Sequence, residues 1–202
     1  MNRKSSIPVF IVLASLVVSS ASAYVLLSPR RTWASAPTIT VDNRGNATVT
    51  DIDGGATAVV AALNANVAWN GAGTGTRLTA VKGNIASFTL GDGNVMLNFR
   101  DPIHACNGSC LAATFTGYYT GSTITDADIV TNTKNKLSST AEPDGCSAEY
   151  YIEGIMVHEV GHVLGLGHST VAGATMYPSV SACNNGPASI AADDSAAIAD
   201  LY

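Results

Sequence analysis

The segment that decides the fold is His158-Glu159-Val160-Gly161-His162-Val163-Leu164-Gly165-Leu166-Gly167-His168, which holds three of the chain's four histidines. The apolar residues from Tyr150 to Leu164 have helical spacing, so we expect a helix that carries the first part of this segment. Residues four apart lie on one face of a helix. His158 and His162 can therefore both point at one metal ion.

The second half of the segment predicts a turn that brings in a third ligand. Gly165 can adopt a positive φ, which ends the helix and turns the chain back. His168 can then approach the same ion from a loop. Three neutral imidazoles leave the fourth position of a tetrahedral zinc ion open, which is typical of a catalytic site. We predict one catalytic zinc ion (Zn2+) bound by His158, His162 and His168.

Glu159 turns metal binding into a prediction of chemistry. It is adjacent to the ligand His158, and its carboxylate can reach a water molecule at the metal without binding the ion itself. Zinc lowers the pKa of a bound water from 15.7 to about 7, so a neighbouring carboxylate can take the proton and later donate it to the leaving group. The alternative is that the histidines are ordinary packed or surface residues. Three histidines at ligand spacing make this alternative the weaker one.

This pattern resembles the zinc motif of the metzincin metallopeptidases, and the sequence is similar to one metzincin family, the matrixins. Ser169 follows the third histidine, as is usual in matrixins. Ala174-Thr175-Met176-Tyr177-Pro178 resembles the Met-turn of the family. In that resemblance Met176 forms an apolar floor beneath the zinc, and Tyr177 and Pro178 belong to the cleft wall.

The resemblance extends to the last helix and to the fold class. Asp193 and Asp194 are similar to the paired aspartates that tie this helix to the Met-turn and the mature N-terminus. The implied fold is α+β and metzincin-like, with a twisted mixed sheet and two helices above the zinc cleft. A small irregular lower subdomain would hold the Met-turn and the C-terminal helix. The implied activity is that of a secreted zinc endopeptidase acting on proteins or peptides.

Outside the motif, the residue pattern predicts further helices at about 55–70 and 190–201. Strands are expected at 38–41, 77–81, 87–90, 95–99, 111–119 and 128–131. Such an order is typical of a layered α+β or α/β fold. Leu111-Ala112-Ala113-Thr114-Phe115 resembles a matrixin strand Leu-Ala-His-Ala-Phe, but Ala113 replaces the histidine, so we expect no second zinc. We favour an edge strand here that pairs with an extended peptide; an interior strand is the alternative.

Residues 1–23 are predicted to be a secretory signal peptide, with a basic start, an apolar run at 7–18 and a small-residue cleavage site at 21–23. Residues 24–202 suffice for a single matrixin-like domain and are too few for two ordinary ones. They contain eight basic and fifteen acidic residues, a formal charge of −7, which argues against nucleic-acid or anionic-membrane partners. We expect a secreted, extracellular monomer without a membrane anchor, since a membrane span needs roughly 20 apolar residues.

The four cysteines predict two disulfides, because an even number in an exported chain is the usual sign of them. Three pairings are possible, and the short spacing favours Cys106 with Cys110 and Cys146 with Cys183. A cysteine-based metal site is the weaker alternative, since the chain has no Cys-x-x-Cys pair.

Calcium (Ca2+) is a further expectation from the resemblance. Its candidate ligands are aspartates in or beside predicted turns, although capping of turns is their more frequent role; they are Asp42, Asp51, Asp53, Asp92, Asp126 and Asp128. His104 is expected to be a surface or loop residue. No cysteine lies between Tyr24 and Thr38, so we expect no latency through a propeptide cysteine. We also expect no accessory domain after Tyr202.

Two rival functions remain open from the sequence. The chain could be a secreted binding module that kept the zinc scaffold without turnover, although such a module has no physical need for Glu159. It could also be a metzincin peptidase outside the matrixins, against which Ser169 and the order Met176-Tyr177-Pro178 argue. The substrate, bond preference, inhibitors and exact mature N-terminus are not encoded in any pattern we recognise.

Overall fold

The computed structural model describes residues 23–44, 55–72, 78–132, 134–135, 137–138 and 146–202. The predicted signal peptide, apart from Ala23, lies outside these residues, and so do Asp51 and Asp53. No helix in the described ranges is long and apolar enough to cross a bilayer.

A mixed sheet is the main layer, and six strands within the described ranges form it. They are β1 (Thr32–Trp33), β2 (Thr38–Asp42), β3 (Thr79–Gly83), β4 (Met96–Asn98), β5 (Ala112–Thr120) and β6 (Thr123–Thr131). The order is β1-β6-β4-β2-β3, with parallel pairing throughout, and β5 pairs antiparallel with β6. A second, two-stranded sheet joins β7 (Leu137–Ser138) to β8 (Tyr150–Tyr151).

Three α-helices in the described part of the chain complete the α+β fold that the sequence predicts. They are α1 (Gly55–Gly71), α2 (Ile152–Val163) and α3 (Ala192–Leu201), and a short 3-10 helix covers Gly186–Ala188. Parallel neighbours need a crossover connection, and α1 provides the one between β2 and β3. Trp69 of α1 is fully buried and donates its Nε1–H to the carbonyl of Val157 in α2 at 2.7 Å. The two helices therefore pack as one layer.

The prediction of a strand at 87–90 is wrong, because the structure has no strand among the described residues between β3 and β4. Because β3 and β4 lie on opposite sides of β2, the chain between them has to cross over β2 and cannot pair along its edge. The crossing uses two residues with positive φ, Gly91 and Gly93. A Cβ on Gly91 would lie 2.5 Å from the ring of Tyr118, so this turn depends on glycine.

Of the other boundaries that differ from the sequence expectation, two have a clear physical cause. The zinc-site helix α2 begins at Ile152, two residues later than predicted, because Tyr150–Tyr151 pair with β7 as strand β8. Strand β6 begins at Thr123, five residues before the predicted start. The part of β6 before the predicted start contains Asp126, which is buried, and aspartate is depleted in strands. Pairing on both sides of β6 overrides that local preference.

The segment before β2 is fastened to the end of α2. Trp33 donates its Nε1–H to the carbonyl of Val163 at 2.7 Å, and Tyr202 donates its hydroxyl to the carbonyl of Leu164 at 2.9 Å. The backbone N–H of Trp33 also reaches the Tyr202 hydroxyl oxygen at 3.3 Å. The N-terminal segment and the C-terminal residue thus meet where the zinc-site helix stops.

Both disulfides are present, with the pairing that the sequence favours. Cys106 is bonded to Cys110, and Cys146 is bonded to Cys183. The second bond links residues 37 apart and joins the segment before β8 to the loop after the Met-turn. Cys183 also donates its backbone N–H to the carbonyl of Glu149 at 2.9 Å.

Candidate metal centre and cleft

The three predicted zinc ligands converge in space. One nitrogen from each of His158, His162 and His168 lies within 4.8 Å of the others. The Nε2 atoms of His162 and His168 are 3.2 Å apart. Zn–N bonds of about 2.0–2.1 Å in tetrahedral geometry place two ligand nitrogens about 3.3–3.4 Å apart. The spacing of His162 and His168 therefore fits a zinc ion.

The hydrogen bonds behind two of these rings suit the same metal. Nδ1 of His158 lies 2.7 Å from the carbonyl of Thr175, and Nδ1 of His162 lies 2.7 Å from the carbonyl of Leu166. A carbonyl can only accept, so each Nδ1 carries the hydrogen and each Nε2 keeps its lone pair. Metal-binding histidines are commonly fixed in this way.

The turn after α2 brings in the third histidine. Gly165 has φ +103°, and a Cβ there would lie 2.7 Å from the carbonyl oxygen of Arg31. Gly167 donates its N–H to the carbonyl of Val25 at 2.7 Å, and Leu27 donates to the carbonyl of Gly165 at 3.1 Å. The N-terminal segment is thus a short partner strand for this turn, and it holds the chain that leads to His168.

The Met-turn holds the ligands from below. The carbonyl of Thr175 binds His158, as described above, and the carbonyl of Met176 accepts the N–H of Ser169, next to His168, at 2.8 Å. Met176 itself is 1% exposed and packs against the helix. The backbone of the Met-turn therefore orients the His158 ring and also fixes the start of the loop that follows His168.

The two aspartates of α3 support this turn differently. Asp194 is fully buried and accepts the backbone N–H groups of Thr175 at 2.6 Å and Met176 at 3.0 Å. Asp193 accepts only the hydroxyl of Ser169, at 2.7 Å, among the described residues. Asp194 thus stabilises the Met-turn directly, while Asp193 acts on the loop after His168.

Glu159 lies beside the metal centre and is 5% exposed. Its Oε2 is 2.5 Å from the hydroxyl of Thr114 in β5. Burial raises the pKa of this carboxyl above its usual range, while nearby His158 and the Thr114 hydrogen bond oppose that rise. The carboxyl is therefore a group whose proton affinity is adjusted by its surroundings, as catalytic bases require.

Burial also acts on the histidines, in the direction that favours metal binding. It lowers the pKa of His162 to about 4, with a further contribution from the charge of His158. Burial likewise lowers the pKa of His168, and His162 and His158 add to the effect. Neutral imidazole is the form that binds a metal, so both side chains are held ready for it near neutral pH.

A cavity of about 410 Å³ opens directly beside the metal centre. The ligand His158, Glu159 and the Met-turn residues Tyr177 and Pro178 line it, and Tyr150 and Ile155 are among its other lining residues. No lysine or arginine is in its wall among the described residues. The Cys146–Cys183 bond fastens one side of this wall to the segment before β8.

Strand β5 runs along the cleft as an edge strand, as the sequence favours. Within the described chain it pairs only with β6, so its other edge has no strand partner. Ala112 and Thr114 of β5 line the depression that also contains Glu159, His162 and Leu27. An extended chain could add to this edge through backbone hydrogen bonds.

The calcium candidates within the described ranges do not form one site. Asp42 accepts hydrogen bonds from Arg44 and lies 3.3 Å from Arg100. Asp126 and Asp128 lie two residues apart in β6, and both are buried. In the described ranges, His158, His162 and His168 are the only group of three or more His, Cys, Asp or Glu residues whose ligand atoms converge. Calcium therefore has no support here. His104 is exposed in the loop between β4 and β5, as expected.

Sequence reasoning missed the partners that orient the site. The carbonyls of Thr175 and Leu166 carry no side-chain signal, so no motif could show them. Thr114 carried one signal, because it stands where the matrixin strand it resembles has alanine. That departure places a hydroxyl beside a buried carboxyl.

Comparison with known proteins agrees with this geometry. The sequence model of the matrixin family matches residues 84–202. The chain is similar to Metalloendoproteinase 5-MMP of Arabidopsis thaliana, with 45% identity over 51 residues, 25% of this chain and 14% of that protein. It is also similar to Metalloendoproteinase 4-MMP of the same plant, with 62% identity over 29 residues, 14% of this chain and 8% of that protein. The chain thus covers only a small part of either relative.

Proposed function

Because the chain belongs to the matrixin family, we propose that it is a secreted zinc-dependent endopeptidase that hydrolyses peptide bonds in proteins. The family also argues against the rival reading of a metzincin peptidase outside the matrixins. The observation that carries the proposal is the convergence of three histidine nitrogens beside Glu159, at the mouth of a cavity large enough for a side chain.

The residues of the chain have separate roles in this proposal. His158, His162 and His168 hold the zinc, and the carbonyls behind His158 and His162 keep Nε2 directed at the ion. When bound, zinc supplies Lewis-acid polarisation of the scissile carbonyl and lowers the pKa of water in the site. Glu159 takes the proton of the attacking water and transfers it to the nitrogen of the leaving amine.

Substrate binding follows from the two surfaces beside the metal. The unpaired edge of β5 would pair with an extended peptide and set its direction in the cleft. The side chain after the cleaved bond would enter the cavity between Tyr150, Ile155 and Pro178. Since this wall contains no described lysine or arginine, we propose an apolar residue at that position of the substrate.

We also propose a location for the protein and the bounds of its catalytic domain. Residues 1–23 would direct export and be removed, and residues 24–202 would form the catalytic domain. Two disulfides suit an oxidising compartment.

The test is cleavage of a quenched peptide library by the secreted protein, with zinc measured on the same sample. We expect one zinc per chain, cleavage that stops with chelator and returns with zinc, and apolar residues directly after the cut bond. A protein that binds one zinc and cleaves neither the library nor denatured protein substrates would contradict the proposal and favour the binding module.

A further inference from the structure

The strand that borders the cleft hydrogen-bonds to the proposed general base, Glu159, through the side chain of Thr114. Thr114 lies in β5, where its pairing with Ile129 of β6 fixes its position. Its Oγ1 is 2.5 Å from Oε2 of Glu159 and 3.2 Å from the backbone carbonyl oxygen of Glu159. The hydroxyl has one hydrogen, so it can donate to only one of these atoms at a time, and the carboxylate oxygen is the nearer.

The direction of this hydrogen bond follows from the chemistry of the partners. An ionised carboxylate only accepts hydrogen bonds, so in the state that acts as a base the Thr114 hydroxyl donates to Oε2. The interaction is charge-assisted and partly buried, and both features strengthen it. No other hydrogen bond reaches this carboxyl from the described residues.

A glutamate held by one bond depends on that bond for its orientation. Rotation about the terminal bond of a glutamate side chain is broad, so packing alone defines the direction of the two oxygens poorly. Thr114 fixes Oε2 and leaves Oε1 free to take a proton. The same strand offers its free edge to a substrate, so Thr114 also sets the distance between the base and a peptide bound there.

We propose that Thr114 is a positioning residue for Glu159, holding the carboxylate in the orientation that proton transfer requires. The matrixin strand that residues 111–115 resemble has alanine where this chain has Thr114, so the hydroxyl is not part of that resemblance. The inference rests on the proposed peptidase function. A purely structural role, joining β5 to α2 through the Glu159 carbonyl, is the alternative that an experiment has to separate.

The experiment compares Thr114→Val, which keeps the branched shape without the hydroxyl, with Thr114→Ser, which keeps the hydroxyl. Both are made in the full chain and loaded with zinc. General acid–base catalysis contributes about a hundredfold or more, so we expect Thr114→Val to lower kcat by about tenfold or more. The KM, the zinc content and the melting temperature should stay near those of the unmodified protein, and Thr114→Ser should retain most of kcat.

A double variant tests whether Thr114 acts through Glu159. In the Glu159→Gln background, Thr114→Val should reduce the residual turnover little further, because residues that act as a unit are not additive. Independent, multiplying losses would overturn the proposal, as would a Thr114→Val protein with unchanged kcat. If Thr114→Val does not fold, Thr114→Ala replaces it, since alanine occupies this position in the strand that the segment resembles.

A crystal structure of zinc-loaded Thr114→Val separates this inference from the proposed function. We expect the Glu159 carboxyl to rotate or to occupy two conformers, whether or not the protein cleaves peptides. A carboxyl that stays in place would contradict the positioning role. An unmodified protein without any cleavage would instead contradict the proposed function.

Discussion

Gly161 and Met176 are in direct contact, because a Cβ atom on Gly161 would lie 2.3 Å from the Sδ of Met176. The same atom would lie 2.8 Å from Cζ2 of the buried Trp69. Helix α2 therefore approaches the Met-turn and α1 as closely as a bare backbone allows. The identity of Gly161, the residue directly before His162, is therefore determined by packing from two sides.

Substituting alanine at Gly161 should destabilise the protein, although alanine is the better helix former. Overpacking of a filled core costs about 1–3 kcal/mol, and we expect a loss in that range from urea denaturation. Gly154→Ala in the same helix is the control, since its Cβ would meet atoms only at 3.3–3.5 Å. Equal stabilities of the two variants would show that the Gly161 contact is relaxed in solution.

Removing the Asp194 carboxylate should weaken the Met-turn. Asp194→Ala leaves two buried N–H groups, those of Thr175 and Met176, without their acceptor. Each unsatisfied buried group costs about 1–3 kcal/mol, so we expect a loss of about 2–5 kcal/mol and weaker zinc binding, because Thr175 orients His158. Asp193→Ala, which removes one bond to Ser169, is the control and should cost less. Calorimetry with zinc titration measures both, and a larger effect at Asp193 would contradict this assignment.

The sequence predicted which three histidines converge, because their spacing follows from helix geometry. His158 and His162 are one helical turn apart in any α-helix, and Gly165 favours the turn that returns His168. The α+β class followed in the same way from the order of helical and strand patterns and from the matrixin resemblance, and the family match and the structure confirm it.

What the sequence did not predict depends on long-range contacts. The segment 87–90 has strand-like residues, yet the crossing from β3 to β4 leaves it nothing to pair with. The start of β6 was obscured by Asp126, whose local preference is overridden by pairing. The carbonyls that orient the histidines belong to the backbone of Thr175 and Leu166. Any residue type supplies such a carbonyl, so no sequence motif could reveal them.

The disulfide between Cys146 and Cys183 should stabilise the fold and shape the cavity. A bond that closes a loop of this length contributes about 4 kcal/mol in the chain-entropy account, against about 2 kcal/mol for the short Cys106–Cys110 loop. We expect the double substitution to serine at 146 and 183 to cost more stability than the same change at 106 and 110. It should also raise KM, because the bond fastens the cavity wall. Denaturation and peptide kinetics measure the two effects, and a reversed order would contradict the account.

Asp128 should make stability depend on pH. Burial, with the nearby charge of Asp126 and a smaller contribution from Asp92, raises its pKa to about 7 against the N–H bond of Met96, while an unfolded aspartate titrates near about 3.9. Between these values the folded chain holds a proton that the unfolded chain has lost. The contribution of Asp128 is therefore fully present below about pH 4 and is lost as pH rises through about 7.

The measurement is urea denaturation of the zinc-loaded protein from pH 5 to 8.5. The stability of Asp128→Asn relative to the unmodified protein should increase as the pH rises to about 7 and then level off. Asp42→Asn is the contrasting control: burial acts against ionisation there, but hydrogen bonds and charge from Arg44, with Arg100, lower the pKa of Asp42. Its effect should not change over this range. A difference for Asp128→Asn that is constant with pH would contradict the prediction.

The central claim is that this chain hydrolyses peptides at a zinc site with Glu159 as its base. The most direct test is kcat/KM of Glu159→Gln on the best library peptide, with zinc content matched to the unmodified protein. We expect one zinc per chain in both proteins and a kcat/KM that is lower by at least about a hundredfold in Glu159→Gln. Turnover of Glu159→Gln within threefold of the unmodified protein, at equal zinc content, would contradict it.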